Sequence, residues 1–250
     1  MRSWMPAALI AMTVGMPLGS GPALAASNAC KADLNGDLVV NFADLAILKS
    51  VFFQRCTDPP PGPSQAFPAT GQTTCWNSAS PANIIPCAGT GHDGEIQAGA
   101  TLAYVDNGDG TITDTNTGLM WEKLSRDLGI HDWDTMYTWD NAFSVKVATL
   151  NQGVGFAGHT DWRMPNIKEL ISIANYQNVT PAASAAFNTG CIDECIATSC
   201  SCTQSAFYWS SSSSALNPDS AWLVDFNRGS LSTGLKSQPF FFVRAVRGGL

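Results

Sequence analysis

The sequence predicts a mixed α+β domain of many short strands and two helices, with a small helical unit ahead of it. Three observations carry this. From Thr101 to Val246, short runs rich in β-branched, aromatic and other apolar residues alternate with turn residues such as Asp106-Asn107-Gly108-Asp109-Gly110. Two helix starts lie among them: Thr138 ahead of Trp139, and Asn166 with Glu169 three residues on, the spacing of a capping box. A proline-dense stretch, Thr57–Gly71, separates this texture from an upstream unit bracketed by Cys30 and Cys56.

The chain opens with Arg2, an apolar run from Ala7 to Leu18, and the small-x-small triplet Ala23-Leu24-Ala25. That run is too short to span a bilayer and has the layout of a secretory signal peptide, so Met1–Ala25 is expected to be removed. The remainder is expected to be secreted, periplasmic or held at the cell surface. No later stretch is long and apolar enough for a transmembrane helix. The net charge is −7, and no run of Lys or Arg offsets it, which argues against nucleic acid as a partner.

All eight cysteines follow the signal segment: Cys30, Cys56, Cys75, Cys87, Cys191, Cys195, Cys200 and Cys202. An even count in an exported chain reads as a disulfide framework. Their spacing gives three local groups. Cys30 and Cys56 bracket the small unit, Cys75 and Cys87 bracket a loop, and the last four are expected to form two bridges. Zinc is the competing reading of that last group, but its C-x3-C-x4-C-x-C spacing lacks the paired C-x2-C of a zinc site.

Within the first unit, Asp33–Asp44 reads D-L-N-G-D-L-V-V-N-F-A-D. With Asp33 as position 1, oxygen side chains fall at positions 1, 3, 5, 9 and 12 (Asp33, Asn35, Asp37, Asn41, Asp44). Val39 at position 7 can offer its carbonyl. Three carboxylates this close repel one another unless a cation sits between them, and hard oxygens at this spacing suit Ca2+. Phe42 to Gln54 then reads as an amphipathic helix with Leu45, Leu48 and Phe52 on one face. The unit resembles one half of a type I dockerin repeat, which implies the same calcium ligands and a cohesin-like protein as partner. It departs from that pattern in having one repeat, Leu38 where a glycine is usual, and Phe42-Ala43 at the partner-reading positions. Calcium binding is therefore the better supported half of the resemblance. A Cys30–Cys56 bridge would replace the missing second repeat as a clamp. The predicted organisation is signal peptide 1–25, calcium unit 26–56, linker 57–71 and large domain 72–250.

In the large domain the strand candidates are Thr101–Val105, Thr111–Asp114 and Leu119–Lys123, with Asp106–Gly110 as a hairpin turn. A helix is expected from Trp139 to about Leu150. Asp161–Leu170, D-W-R-M-P-N-I-K-E-L, reads as a strand turning sharply into a helix from Ile167 to about Ala174. Trp162 is expected in the core and Arg163 in an ion pair. Tyr208-Trp209 starts the next extended run. Ala221–Phe226 follows with Trp222, Val224 and Phe226 on one face, and Asn227-Arg228-Gly229 turns into another strand. Phe240–Val246 closes the domain as a final strand.

Five motifs in this order carry a second resemblance: Asp106–Trp121, Asp161–Leu170, Tyr208–Ser212, Ala221–Gly229 and Phe242–Arg247. Together they resemble the Lcl C-terminal domain, over about Thr70 to Gly249. The resemblance implies a C-type-lectin-like fold, and its founding adhesin is associated with sulfated glycosaminoglycans. The W-R-x-P-x-x-x-E-L element also resembles a segment of formylglycine-generating enzymes, which share that fold. Those enzymes act through reactive cysteines, and here no cysteine lies near the shared motifs. No nucleophile–base constellation is legible: His92, His131 and His159 stand apart in sequence, and paired hydrolytic carboxylates are not identifiable. The E-P-N and W-N-D signatures of calcium-dependent sugar binding are missing.

The sequence therefore favours a non-enzymatic binding protein that recognises a glycan or protein ligand, with the dockerin-like unit as tether. Trp133, Trp139 and Trp209 are candidate sugar-stacking rings, and Arg163, Arg228, Arg244 and Arg247 are the basic residues nearest the motifs. The alternatives are an accessory component of extracellular polysaccharide breakdown, docked through the calcium unit, and an enzyme on the formylglycine-enzyme fold.

Overall fold

The computed structural model describes residues 67–238 and 241–248. The signal segment, the calcium loop (Asp33, Asn35, Asp37, Val39, Asn41, Asp44), Cys30 and Cys56, and the linker up to residue 66 lie outside the described residues.

In chain order the elements are β1 (Cys75–Trp76), β2 (Ile84–Ile85), α1 (Asp93–Ile96), β3 (Tyr104–Asp106), β4 (Thr111–Asp114) and β5 (Met120–Glu122). A helical run follows, made of α2 (Trp139–Asn141), a π-helical stretch (Ala142–Val147) and α3 (Ala148–Leu150). Next come α4 (Ile167–Ser172), a 3-10 turn (Ala185–Phe187), β6 (Phe207–Ser213), β7 (Ser220–Asp225), β8 (Ser230–Leu235) and β9 (Val246–Arg247). The class is α+β, with more strand than helix. Among the described residues no helix is long and apolar enough to cross a membrane.

All strand pairings within the sheets are antiparallel. β1 and β2 form a short hairpin, β3-β4-β5-β9 a four-stranded sheet, and β6-β7-β8 a three-stranded one. The turn after Asp106 joins β3 to β4, as its Asn and Gly residues predict. The final strand is shorter than expected, covering only Val246–Arg247. Phe241 and Phe242 make single bridges instead, to Tyr137 and Tyr208.

The three-stranded sheet is packed on both faces. Tyr208, Val224 and Phe226 meet Leu170, Ile173 and Ala174 of the α4 region in the larger core. Trp209, Ala221 and Leu223 face the other way, onto Tyr137, Ala142 and Met164. The alternation expected in Ala221–Phe226 is therefore only half the pattern. Trp222 is half-exposed, and Leu223 on the opposite face is as buried as Val224. A strand between two apolar layers loses its polar side. Each fully buried Leu, Val or Phe here stabilises the fold by roughly 2 kcal/mol. At Gly234 any Cβ would lie 2.5 Å from the Phe241 ring, so glycine there lets Phe241 lie against the sheet.

The helix from Trp139 to Leu150 starts where predicted, with the Thr138 hydroxyl accepting from Asn141 N–H. Its middle widens into π-helical geometry, and that stretch carries the buried Lys146. The second helix begins as a full capping box. Asn166 accepts from the N–H groups of Lys168 and Glu169, and Glu169 accepts from Asn166 N–H. It ends at Ser172, two residues short of the expected end.

The six described cysteines pair locally, as Cys75–Cys87, Cys191–Cys202 and Cys195–Cys200. Cys195, Cys200 and Cys202 lie close enough to suggest a metal site. Their sulfurs are already engaged in two disulfides, so the zinc reading fails.

Candidate functional site

The signature motifs meet at one joint. Arg163 and Val246 exchange backbone hydrogen bonds of 2.9 and 3.0 Å. Val246 also pairs with Trp121, Trp209 N–H donates to Phe242 O, and Ser211 N–H donates to Pro165 O. Trp162 is 2 % exposed, its indole N–H donates to Phe156 O, and its backbone is held on both sides by the Asn151 amide. Arg163 forms a two-pronged pair with Glu169 (2.8 and 2.7 Å) and donates to Gly248 O. This motif is a structural joint, as the core reading of Trp162 implied.

The other sequence candidates separate widely. Trp209 is fully buried and donates to Tyr137 O, so it cannot stack on a ligand. Trp133 and Trp139 remain half-exposed, but each ring already carries a cation: Arg126 over Trp133 at 5.0 Å, and Lys236 over Trp139 at 4.3 Å. Arg244 is 1 % exposed and spends its guanidinium on Glu122 O, Cys202 O and the Thr203 hydroxyl. Arg247 pairs with Asp161 at 2.7 Å. Of the four candidate arginines, only Arg228 is exposed with no ion pair among the described residues. The three histidines are not brought together: His92 is exposed, and His159 makes a turn with Phe156.

His131 belongs instead to a buried ionic cluster that the sequence reading missed. Glu122 Oε1 accepts from Lys146 Nζ at 2.5 Å and lies 2.7 Å from His131 Nδ1, while Oε2 accepts from Ala245 N–H. Lys146 also donates to Ile130 O. Burial alone would raise the Glu122 carboxyl, but the charge of Lys146 and the His131 contact outweigh it and hold it at about 2. Burial pulls Lys146 down from its ordinary value, and the Glu122 charge partly offsets that. A signal for this cluster existed in the sequence. Lys146 falls in helical phase with Ala142 and Leu150, on the side that faces the core. The cluster is sealed by backbone partners, and its role is to hold β5, the π-helical stretch and the chain before β9 together.

The open site lies on the outer side of α4. A groove of about 880 Å³ runs between α4 and the strap Phe67–Thr70. Leu119, Ile171 and Ala174 contribute its apolar surface; Thr117, Asn166 and Lys168 add polar groups, and Tyr176 contributes a 41 % exposed ring. The strap is pinned in place. Ala69 and Ala100 bond through their backbones, Tyr176 N–H donates to Thr70 O at 2.8 Å, and Gln177 accepts from Thr73 and Thr74 N–H. The Tyr176 ring rests on Gly229, where an added Cβ would lie only 3.1 Å from it. Glu169 borders the groove, but its charge is neutralised by Arg163.

A family model matches residues 110–247, and the family is the Lcl C-terminal domain. The chain belongs to that family. The match begins at Gly110 rather than near Thr70, so the Lcl C-terminal domain supplies α4 and Tyr176, whereas the strap precedes it. No curated protein and no solved structure matches the chain.

Proposed function

We propose that the protein is an exported, non-enzymatic binding protein whose C-type-lectin-like Lcl C-terminal domain recognises a glycan through the groove beside α4. The observation that carries this reading is the lining of that groove. A sugar ring offers an apolar C–H face and a rim of hydroxyls. The groove offers an aromatic ring at Tyr176, an aliphatic surface, the ammonium group of Lys168 and the side-chain NH2 of Asn166, whose oxygen caps α4. Most of the signature cations are spent on internal partners, which favours a ligand bound by stacking and hydrogen bonds over one bound by charge alone. The pairing of all six described cysteines also supports binding over the thiol chemistry of formylglycine-generating enzymes.

In this reading the dockerin-like loop Asp33–Asp44 is a calcium-stabilised tether and takes no part in recognition. A glycan array probed with and without a chelator tests both halves. Binding that survives chelation is the expected result. Loss of all glycan binding on chelation would move recognition to the calcium loop, and no binding under either condition would remove the lectin-like reading.

A further inference from the structure

β8 is the outer strand of the three-stranded sheet, and among the described residues its far edge pairs with no other strand. Phe226 N–H donates to Ala206 O, and Trp222 O accepts from the Ser210 hydroxyl, so the even-numbered residues of β7 turn toward β6. The odd-numbered ones then bond β8, through Ser230, Ser232 and Gly234. Leu231, Thr233 and Leu235 are left with their backbone groups facing outward. Among the described residues the single backbone bond to that edge is Gln238 N–H on Leu235 O.

Natural sheets guard such edges with charge, proline or a bulge. β8 has none of these. Ser230–Leu235 reads S-L-S-T-G-L, and its register with β7 is unbroken. The side chains on one face of this edge are apolar and bare: Leu231 is 52 % exposed and Leu235 43 %. Half-exposed Trp222 stands between them, opposite Thr233. α4 packs chiefly against β6 and β7.

The geometry points to this edge as a docking surface for a second copy of the chain, through antiparallel pairing of β8 with β8 about a two-fold axis at Thr233. The edge is self-complementary. With Thr233 opposite Thr233 of the second copy, Leu231 falls opposite Leu235 and Leu235 opposite Leu231. All three outward-facing residues then meet outward-facing residues, giving about six backbone hydrogen bonds. Leu–Leu and Thr–Thr cross-strand pairs are favourable. The two Leu-Trp-Leu strips join across the axis into one apolar band. Charge agrees with it: the chain carries net −7, yet the strand is neutral over its whole length, so two copies meet where they repel least. An isologous two-fold contact closes on itself and gives a dimer, not a filament.

The full chain is tested by sedimentation velocity over a range of concentrations. The expected result is a reversible dimer that Thr233→Pro weakens about tenfold or more, since the substitution removes an outward N–H from each copy while leaving the bonds to β7. Thr233→Cys is the second arm. A hydrogen-bonded antiparallel pair holds its Cα atoms about 5.5 Å apart, within the disulfide range, so this variant is expected to give a covalent dimer under mild oxidation. Ser237→Cys, beyond the paired strand, is expected to cross-link far more slowly. A chain that stays monomeric throughout, or a dimer that Thr233→Pro leaves unchanged and Thr233→Cys does not trap, would overturn the inference. The cysteine arm decides if Thr233→Pro fails to fold.

Discussion

Lys146 Nζ lies 2.5 Å from Glu122 Oε1, and neither side chain is more than 1 % exposed. The pair joins the helix after Thr138 to β5, and through Ala245 N–H it reaches the chain entering β9. Removing one partner leaves an uncompensated buried charge. Lys146→Met is expected to cost about 3–5 kcal/mol. The double variant Glu122→Leu with Lys146→Met should lose less than Lys146→Met alone. Urea unfolding of the native chain, Lys146→Met and the double variant checks this, and a double variant that loses as much as Lys146→Met or more would contradict it.

The same pair sets an acid limit. The Glu122 carboxyl is held at about 2 in the folded chain, below its ordinary value of 4.5. A depressed carboxyl contributes stability above its unfolded value and loses it as pH falls toward the folded one. Thermal unfolding followed from pH 6 to pH 2 is expected to show a steep loss of Tm below about pH 4.5, with a shallower slope for Glu122→Gln.

The start of α4 gives a graded series. Asn166→Ala removes one cap and is expected to cost about 1 kcal/mol. Glu169→Ala removes the reciprocal cap and also strands Arg163, which is 34 % exposed and bonded to both Glu169 oxygens. It is expected to cost more than Asn166→Ala. Chemical denaturation ranks the two, and the reverse order would show that Arg163 contributes nothing there.

The disulfides differ in the loop they close. Cys195–Cys200 closes a shorter loop than Cys191–Cys202. Serine pairs replacing the former are expected to cost about 2 kcal/mol, and replacing the latter about 3 kcal/mol. Unfolding midpoints of the two double variants test the order.

Local chemistry made part of this fold readable. Asn166 and Glu169 three residues apart announce a capping box, and Asp106–Gly110 announces a tight turn, because each needs only neighbouring residues. The Thr138 start is legible for the same reason. The burial of Trp209 was not, since a strand packed on both faces has no polar side to reveal its orientation. Glu122, His131 and Lys146 looked unrelated because topology alone brings them together. The groove was hidden for a similar reason: Tyr176 and the strap Phe67–Thr70 are far apart in sequence and meet through a backbone bond to Thr70 O.

In the proposed function the groove beside α4 holds the ligand. The most direct measurement is titration calorimetry with a glycan that binds the native chain, repeated with Tyr176→Ala and Trp139→Ala. Loss of the Tyr176 ring is expected to weaken binding about tenfold, the scale of one aromatic contact, with Trp139→Ala near the native affinity. Unchanged binding by Tyr176→Ala, with affinity lost in Trp139→Ala, would place the ligand on the opposite side of the sheet and contradict the account.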